Sequence, residues 1–324
     1  MPRPNTTLSA PIGPAGRVRK AVAAALPETA VRRIRAMRGH QAPRVVTLDE
    51  LDARLEEAAT LFAVSEDAAR DFLASFHMAA PPGQPEDPFS DEYREWVWAL
   101  YESVSGRSGY STANEASPFD LEEAVSVPYP FSTRSIKVVG EELVARGFIV
   151  ATLGLNPPAR IVEFGSGWGN LTVDLATMGF EVTAVEVERR FCDLAERRSR
   201  AGDRLTVVNG GMLEFTTDTR FDAAIFYESF HHCSDHMAML GHLVDIVGPG
   251  GKVLWAGEPI APMSYPWGLR LDGYSLWSTR THGWLELGFD EGYFADVLAR
   301  TGWKGTRTRL PAGSPLADVI VATR

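Results

Sequence analysis

The chain has 324 residues, a hydrophobic content of 45% and a formal charge of −10, which fits a globular protein with one large core plus an extension. Residues 1–44 hold nine Lys/Arg against one acid, Glu28; subtracted from totals of 32 and 42, this leaves 23 basic and 41 acidic residues for the remainder, a balance that argues against a nucleic acid substrate. No run approaches the ~18 apolar residues of a transmembrane segment, no signal peptide core is visible, and two cysteines, Cys192 and Cys233, give neither a disulfide framework nor a metal-binding pair, so a cytoplasmic setting is expected.

Residues 1–46 read as a basic, loosely ordered extension in which Val31–Arg38 is a short amphipathic stretch. Residues 47–130 read as a helical and irregular cap region. Thr47-Leu-Asp-Glu50 is a capping box, and Leu48, Leu51, Leu55 and Ala58 or Ala59 form one apolar face. Ser65 opens a second helix reaching about Met78, which Pro81-Pro-Gly-Gln-Pro85 ends. Such a helical pair would pack on the larger domain or on a second subunit, as in a homo-oligomer. Glu92–Glu102 predicts an aromatic helix. The polar segment Ser105–Glu115 and Pro128–Thr133 then have the character of a functional flap. Tyr110, with Ser111, Asn114 and Glu115, is a candidate to touch a ligand there.

The stretch Arg160-Ile-Val-Glu-Phe-Gly-Ser-Gly-Trp-Gly-Asn170 organises everything that follows. Ile161–Phe164 predicts a buried parallel strand, and Leu171–Gly179 a helix with a glycine stop. Gly165, Gly167 and Gly169 allow a tight turn and the close approach of a ligand. Their G-x-G-x-G spacing, with Glu163 in front, departs from the dinucleotide pattern and suits a ligand bearing an ammonium and a sulfonium better than a pyrophosphate. This segment resembles the first motif of the class I S-adenosylmethionine (SAM)-dependent methyltransferases, and the rest of that pattern follows in order over roughly residues 131–324.

Glu181–Glu186 predicts a second strand whose last residue lies twenty-one positions after Gly165; the resemblance makes Glu186 the acceptor for the ribose hydroxyls. Arg204–Val208 is a third strand, followed by Asn209-Gly-Gly-Met212, where the family edges the adenine. Phe221–Tyr227 is a fourth, followed by Glu228-Ser-Phe-His-His232. Gly248-Pro-Gly-Gly251 predicts a turn before a fifth strand, Lys252–Ala256. Trp303–Leu310 and Leu316–Thr323, around Pro311-Ala-Gly-Ser-Pro315, predict the terminal hairpin. The fold implied is α/β, a Rossmann-like, doubly wound seven-stranded sheet with a C-terminal antiparallel hairpin and an N-terminal helical extension. Glu163, Gly165, Gly167, Glu186, Met212 and Glu228 would surround SAM.

Chemistry is expected at the ends of the fourth and fifth strands. An alcohol acceptor benefits from a base, and His231, His232 and Glu258 stand where the base of an O-methyltransferase belongs. His236 and His242 read as structural. Residues 259–288 form an aromatic lid insertion, with Trp267, Arg270, Asp272 and Trp277 as candidate acceptor contacts. Glu228-Ser-Phe-His-His232 also resembles the Glu-x-x-Glu-His segment with which ubiquinone-biosynthesis O-methyltransferases hold magnesium. Because His231 replaces the second carboxylate, a divalent metal is the less favoured alternative. Tyr227–Cys233, Gly257-Glu-Pro259 and Tyr265–Asp272 resemble bacterial methyltransferases found with glycan-building enzymes. A carbohydrate or other small hydroxylated metabolite is therefore the implied acceptor. An NAD-linked oxidoreductase and a non-catalytic SAM-binding subunit are the competing readings.

Overall fold

The computed structural model describes residues 43–116, 118–310, 314 and 316–324. The basic extension, apart from its last four residues, and the Val31–Arg38 stretch lie outside the described residues, as does most of the Pro311–Pro315 connection. The chain divides into two compact units, one reaching Ala80 and including Leu271–Trp277, the other made of Pro81–Arg270 and Ser278–Arg324.

In the first unit, strands β1 (Arg44–Val46) and β2 (Phe76–Met78) pair in parallel. Between them run helices α1 (Leu48–Phe62) and α2 (Glu66–Leu73). The Glu50 carboxylate accepts the Thr47 backbone N–H at 3.0 Å, so one end of α1 is closed by its own sequence. Leu51, Leu55, Ala58 and Leu61 turn inward at helical spacing. Helix α2 stops five residues before the expected Met78. Ala74 and Ser75 close it through bonds to Arg70 and Phe72 carbonyls, and Phe76–Met78 is extended because Arg44–Val46 offers it a pairing edge.

In the second unit, helix α3 (Asp91–Ser105) buries Tyr93, Val97, Leu100, Tyr101 and Val104 along one face and ends at the left-handed Gly106. Its two buried tyrosines tie down distant backbone: Tyr93 donates to the Trp267 carbonyl at 2.8 Å and Tyr101 to the Gly283 carbonyl at 2.6 Å. The chain then forms α4 (Ile136–Leu153), β3 (Arg160–Phe164), α5 (Asn170–Thr177), β4 (Glu181–Glu186), α6 (Arg189–Arg198), β5 (Arg204–Asn209), β6 (Phe221–Tyr227) and β7 (Val247–Ala256). A short antiparallel pair, β8 (Trp267–Leu269) and β9 (Leu287–Phe289), precedes the final strands β10 (Lys304–Arg309) and β11 (Asp318–Thr323).

Seven of the described strands form one sheet in the order β10-β11-β7-β6-β3-β4-β5. Strands β3 to β7 are mutually parallel, and β11 and β10 add antiparallel pairs at one edge. One face carries Phe164, Phe226 and Trp255 in lateral register, with stacked rings 5.1 and 6.1 Å apart. Each such buried side chain contributes about 1.5–3 kcal/mol of transfer free energy. The other face packs Ile161, Ala223, Ile225 and Leu254 beneath Ile149 and Leu153 of α4 and Leu171 and Leu175 of α5. The Gly248–Gly251 turn sits within β7 rather than before it: Val247 already pairs with Phe221, and pairing resumes at Lys252 opposite Ala223. The turn is thus a bulge that adds residues to one strand of a continuing ladder.

The strand order places the C-terminal ends of β7, β6, β3 and β4 side by side. Glu258, Glu228, the glycine loop and Glu186 are brought together by that order alone. No helix among the described residues is long and apolar enough to cross a membrane.

Candidate active site

The glycine loop is fixed by its neighbours. Gly165 donates its N–H to the Val185 carbonyl at 2.8 Å and adopts φ +68°. A Cβ there would stand 2.6 Å from the Ser229 Cβ, so glycine is required twice over. Gly167, at φ +49°, donates its N–H to Oε2 of Glu186 at 2.8 Å. The second oxygen of Glu186 accepts the Glu188 N–H at 2.9 Å. Burial raises the Glu186 carboxyl despite these bonds. Glu163 lies behind the loop: it is 2% exposed and accepts a 2.6 Å bond from the Thr172 hydroxyl. Burial pushes its carboxyl up to about 7, against the lowering effect of that bond.

A cavity of about 280 Å³ opens beside the loop. Tyr110, Gly165, Gly167, Glu186, Met212, Glu228 and His232 line it, together with Trp168, Phe191 and Leu213, which make one part apolar. Glu228 holds φ +49° as a non-glycine residue, a left-handed conformation of the kind that concentrates at functional sites. Glu115 and Glu214 also reach the wall, so that among the described residues it carries four carboxylates and no Lys or Arg.

The two histidines divide their roles. His231 is buried, with Nδ1 2.8 Å from Oε2 of Glu258. Glu258 also accepts the backbone N–H groups of Ser229, Phe230 and His231 at 2.8, 2.8 and 3.2 Å. Burial alone would raise the Glu258 carboxyl, but His231 and these donors hold it below its usual range. Its surroundings make Glu258 the clamp of the loop after β6, away from the cavity wall. His232 does line the cavity. Its Nδ1 lies 3.2 Å from Oε2 of Glu115, an ion-pair approach off the line of a directed hydrogen bond. Burial opposes its charge, but Glu115, Glu286 and Glu258 outweigh burial and push the imidazole up to about 9. The other Glu115 oxygen accepts the Tyr110 hydroxyl at 2.9 Å and the Leu285 N–H at 3.0 Å. The Tyr110 ring is stacked on Trp98.

Other expected contacts sit elsewhere. Trp267 is 2% exposed, donates its indole N–H to the Pro88 carbonyl at 2.9 Å and packs on Tyr93 and His236. It is a core residue because α3 covers it, and it does not reach the cavity. The Arg270 guanidinium lies 3.8 Å from Oε2 of Glu286 and is not on the cavity wall. Asp272 and Trp277 belong to the first unit. There Asp272 accepts the Ser275 N–H and hydroxyl at 3.1 and 3.0 Å, and Trp277 packs on Phe62. Trp284 does line the cavity, and its buried indole nitrogen has no hydrogen-bond partner among the described residues. Its place in the lid insertion was a signal for it. Trp168 and Phe191 had weaker signals, a glycine neighbour and a helical apolar spacing.

Residues 161–251 match the family described as a methyltransferase domain. An uncharacterised methyltransferase of Bacillus cytotoxicus is 29% identical over 99 residues, covering 30% of this chain and 46% of that protein. The demethylmenaquinone methyltransferase of Beutenbergia cavernae is 23% identical over 199 residues, 57% of this chain and 82% of its own length. The chain spans about half the length of the Bacillus relatives it matches. Among solved structures, a glycopeptide N-methyltransferase complexed with sinefungin is similar with a TM-score of 0.44 at 19% identity, over 57% of this chain and 93% of that one. The methyltransferase-domain match covers the glycine loop and the strands from β3 to the turn within β7, and together with the sheet order it supports a class I SAM-dependent methyltransferase domain in this part of the chain.

Proposed function

We propose that this chain is a SAM-dependent O-methyltransferase whose acceptor is a hydroxyl of a sugar, a glycoconjugate or another small hydroxylated metabolite. The observation that carries the reading is the cavity wall, which among the described residues has four carboxylates and neither Lys nor Arg. Such a wall attracts an ammonium and a sulfonium and repels a pyrophosphate, which counts against an NAD-linked oxidoreductase. The residues present fit SAM. Each Glu186 oxygen keeps a lone pair for a ribose hydroxyl after accepting its backbone N–H. Met212, Phe191 and Leu213 supply an apolar wall for adenine, while Gly165, Gly167 and Glu228 border the rest. Glu163, behind the loop, would add its charge once ionised, above about pH 7. When bound, the cofactor supplies an electrophilic methyl group.

The chain's own work is to hold the acceptor and take its proton. Tyr110 and Trp284 offer aromatic faces to the C–H surface of a sugar ring. His232, oriented by Glu115, accepts the hydroxyl proton, and Glu258 with His231 keeps that loop in place. The carboxylates that favour a proton on His232 also make the neutral imidazole a strong base, and a cationic cofactor nearby opposes the resting proton. The sugar assignment rests on the resemblance carried by Tyr227–Cys233, Gly257–Pro259 and Tyr265–Asp272, together with those aromatic faces.

The test is transfer of labelled methyl from SAM to a panel of glycosides and phenols, with amines as controls. The expected product is a methyl ether. His232→Ala should slow its formation by about 10²–10⁴-fold with SAM affinity retained. Labelling of amines alone, or an unimpaired His232→Ala, would overturn the proposal.

A further inference from the structure

We infer that His231, His232 and Glu286 form a binding site for a divalent transition-metal ion, and that the ion, by occupying His232, blocks methyl transfer. The inhibitory half rests on the reading of His232 as the proton acceptor; the site itself does not.

The three side chains come from separate places, the turn after β6 and the residue before β9, yet each offers a ligand atom and these atoms lie within 4.8 Å of one another. Nε2 of His231 is 3.9 Å from Oε2 of Glu286. Ligands about 2.0–2.2 Å from a common ion stand about 3–4 Å apart. The cluster therefore closes on an ion with shifts of about an ångström or less.

The surroundings are those of a metal site. Each imidazole turns Nδ1 to a carboxylate, His231 to Glu258 at 2.8 Å and His232 to Glu115 at 3.2 Å. For His231 the Glu258 hydrogen bond leaves Nε2 as the metal donor with its orientation fixed, and His232, whose Nδ1 makes no directed hydrogen bond, offers a ring nitrogen to the same cluster. Two imidazoles side by side, one hydrogen-bonded to a carboxylate and the other facing one, exceed what a single catalytic base needs. The His231, Glu258 and Glu286 side chains are 9%, 1% and 7% exposed, so three carboxylates (Glu115, Glu258 and Glu286) surround the two rings with little water to screen them. Arg270, 3.8 Å from Glu286, offsets one of those charges; a divalent ion would offset the others. Two nitrogens and one carboxylate oxygen suit Zn²⁺, Co²⁺ or Ni²⁺, whereas Mg²⁺ and Ca²⁺ prefer oxygen alone. Coordination through His232 uses the imidazole lone pair that would otherwise accept the acceptor's proton, so the loaded site and the working base exclude one another.

The full chain, stripped with a chelator, is titrated with Zn²⁺ against a chromophoric competitor and with Co²⁺ by visible absorption. The expected result is one equivalent of Zn²⁺, and a Co²⁺ spectrum with nitrogen ligation. Glu286→Gln and His231→Asn should each weaken Zn²⁺ by more than about tenfold. Glu286 is not on the cavity wall, so Glu286→Gln should leave SAM affinity unchanged, which also certifies its fold. Absence of stoichiometric Zn²⁺ binding by the unmodified chain, or equal affinity in both variants, would overturn the site. SAM titration of the same samples separates the two readings. Zinc binding without SAM binding removes the methyltransferase proposal and leaves the metal site standing, and SAM binding without zinc binding does the reverse. Where both bind, Zn²⁺ should inhibit methyl transfer, and Glu286→Gln should relieve that inhibition. A loaded enzyme that runs at the stripped enzyme's rate would overturn the block.

Discussion

Glu163→Gln is the substitution from which most can be worked. Glu163 is buried behind the glycine loop with a bond from Thr172, and burial raises its carboxyl from 4.5 to about 7. Below pH 4.5 the folded and unfolded chains both carry the proton, and this group makes no pH-dependent difference. Between 4.5 and about 7 the unfolded chain ionises while the folded one does not, so the stability this group contributes is lost as pH rises. Above about 7 both are ionised and the loss is complete, on the order of 3 kcal/mol at 1.36 kcal/mol per pH unit. Glutamine keeps the shape and the Thr172 partner without the charge. Urea unfolding of both proteins at about pH 5 and about pH 8 should therefore show Glu163→Gln gaining on the wild type at the higher pH by up to roughly 3 kcal/mol. A difference that is the same at both pH values, or that grows toward acid, would refute the burial argument.

Gly165→Ala should lower the melting temperature and abolish cofactor binding. The left-handed φ costs about 1–2 kcal/mol for a residue with a Cβ, and that atom would stand 2.6 Å from Ser229 Cβ; an unchanged melting curve by differential scanning fluorimetry contradicts this. Glu115→Gln, which removes the charge facing His232, should cut the methyl-transfer rate on the order of a hundredfold while the SAM affinity, by calorimetry, stays within about twofold; a loss confined to SAM binding would count against its proposed role. Trp267→Ala should destabilise the chain by about 3–5 kcal/mol, whereas Trp267→Phe should leave the acceptor KM unchanged; a raised KM in the phenylalanine variant would return Trp267 to the acceptor site.

What was legible in the sequence is what the backbone dictates. Gly165 and Gly167 announce a turn that only glycine makes, and Glu186 ends a strand whose apolar run locates it within a residue. The strand order then follows from the family resemblance, and it aligns the ends of β3, β4, β6 and β7. What was not legible is side-chain partnership across long separations. Glu115 meets His232 because a 3-10 turn, Thr112–Glu115, folds against Leu285 and the loop after β6; nothing in the spacing of those residues records it. Glu258 reads as part of the catalytic base by position alone, and only its three backbone donors reveal a clamp. Trp267 and Trp284 are chemically identical in the lid, yet α3 buries one of them and the cavity takes the other. Phe76–Met78 followed helical spacing until a pairing edge outweighed it.

The central claim is that the cavity beside the glycine loop binds SAM through Glu186. Calorimetric titration of the full chain with SAM, S-adenosylhomocysteine and NAD, repeated on Glu186→Ala, tests it most directly. Binding of both adenosyl ligands, weakened about 10- to 100-fold in the variant as charge-assisted hydrogen bonds are lost, with no binding of NAD, is the expected result. Binding of NAD in their place, or adenosyl binding indifferent to Glu186→Ala, would contradict it.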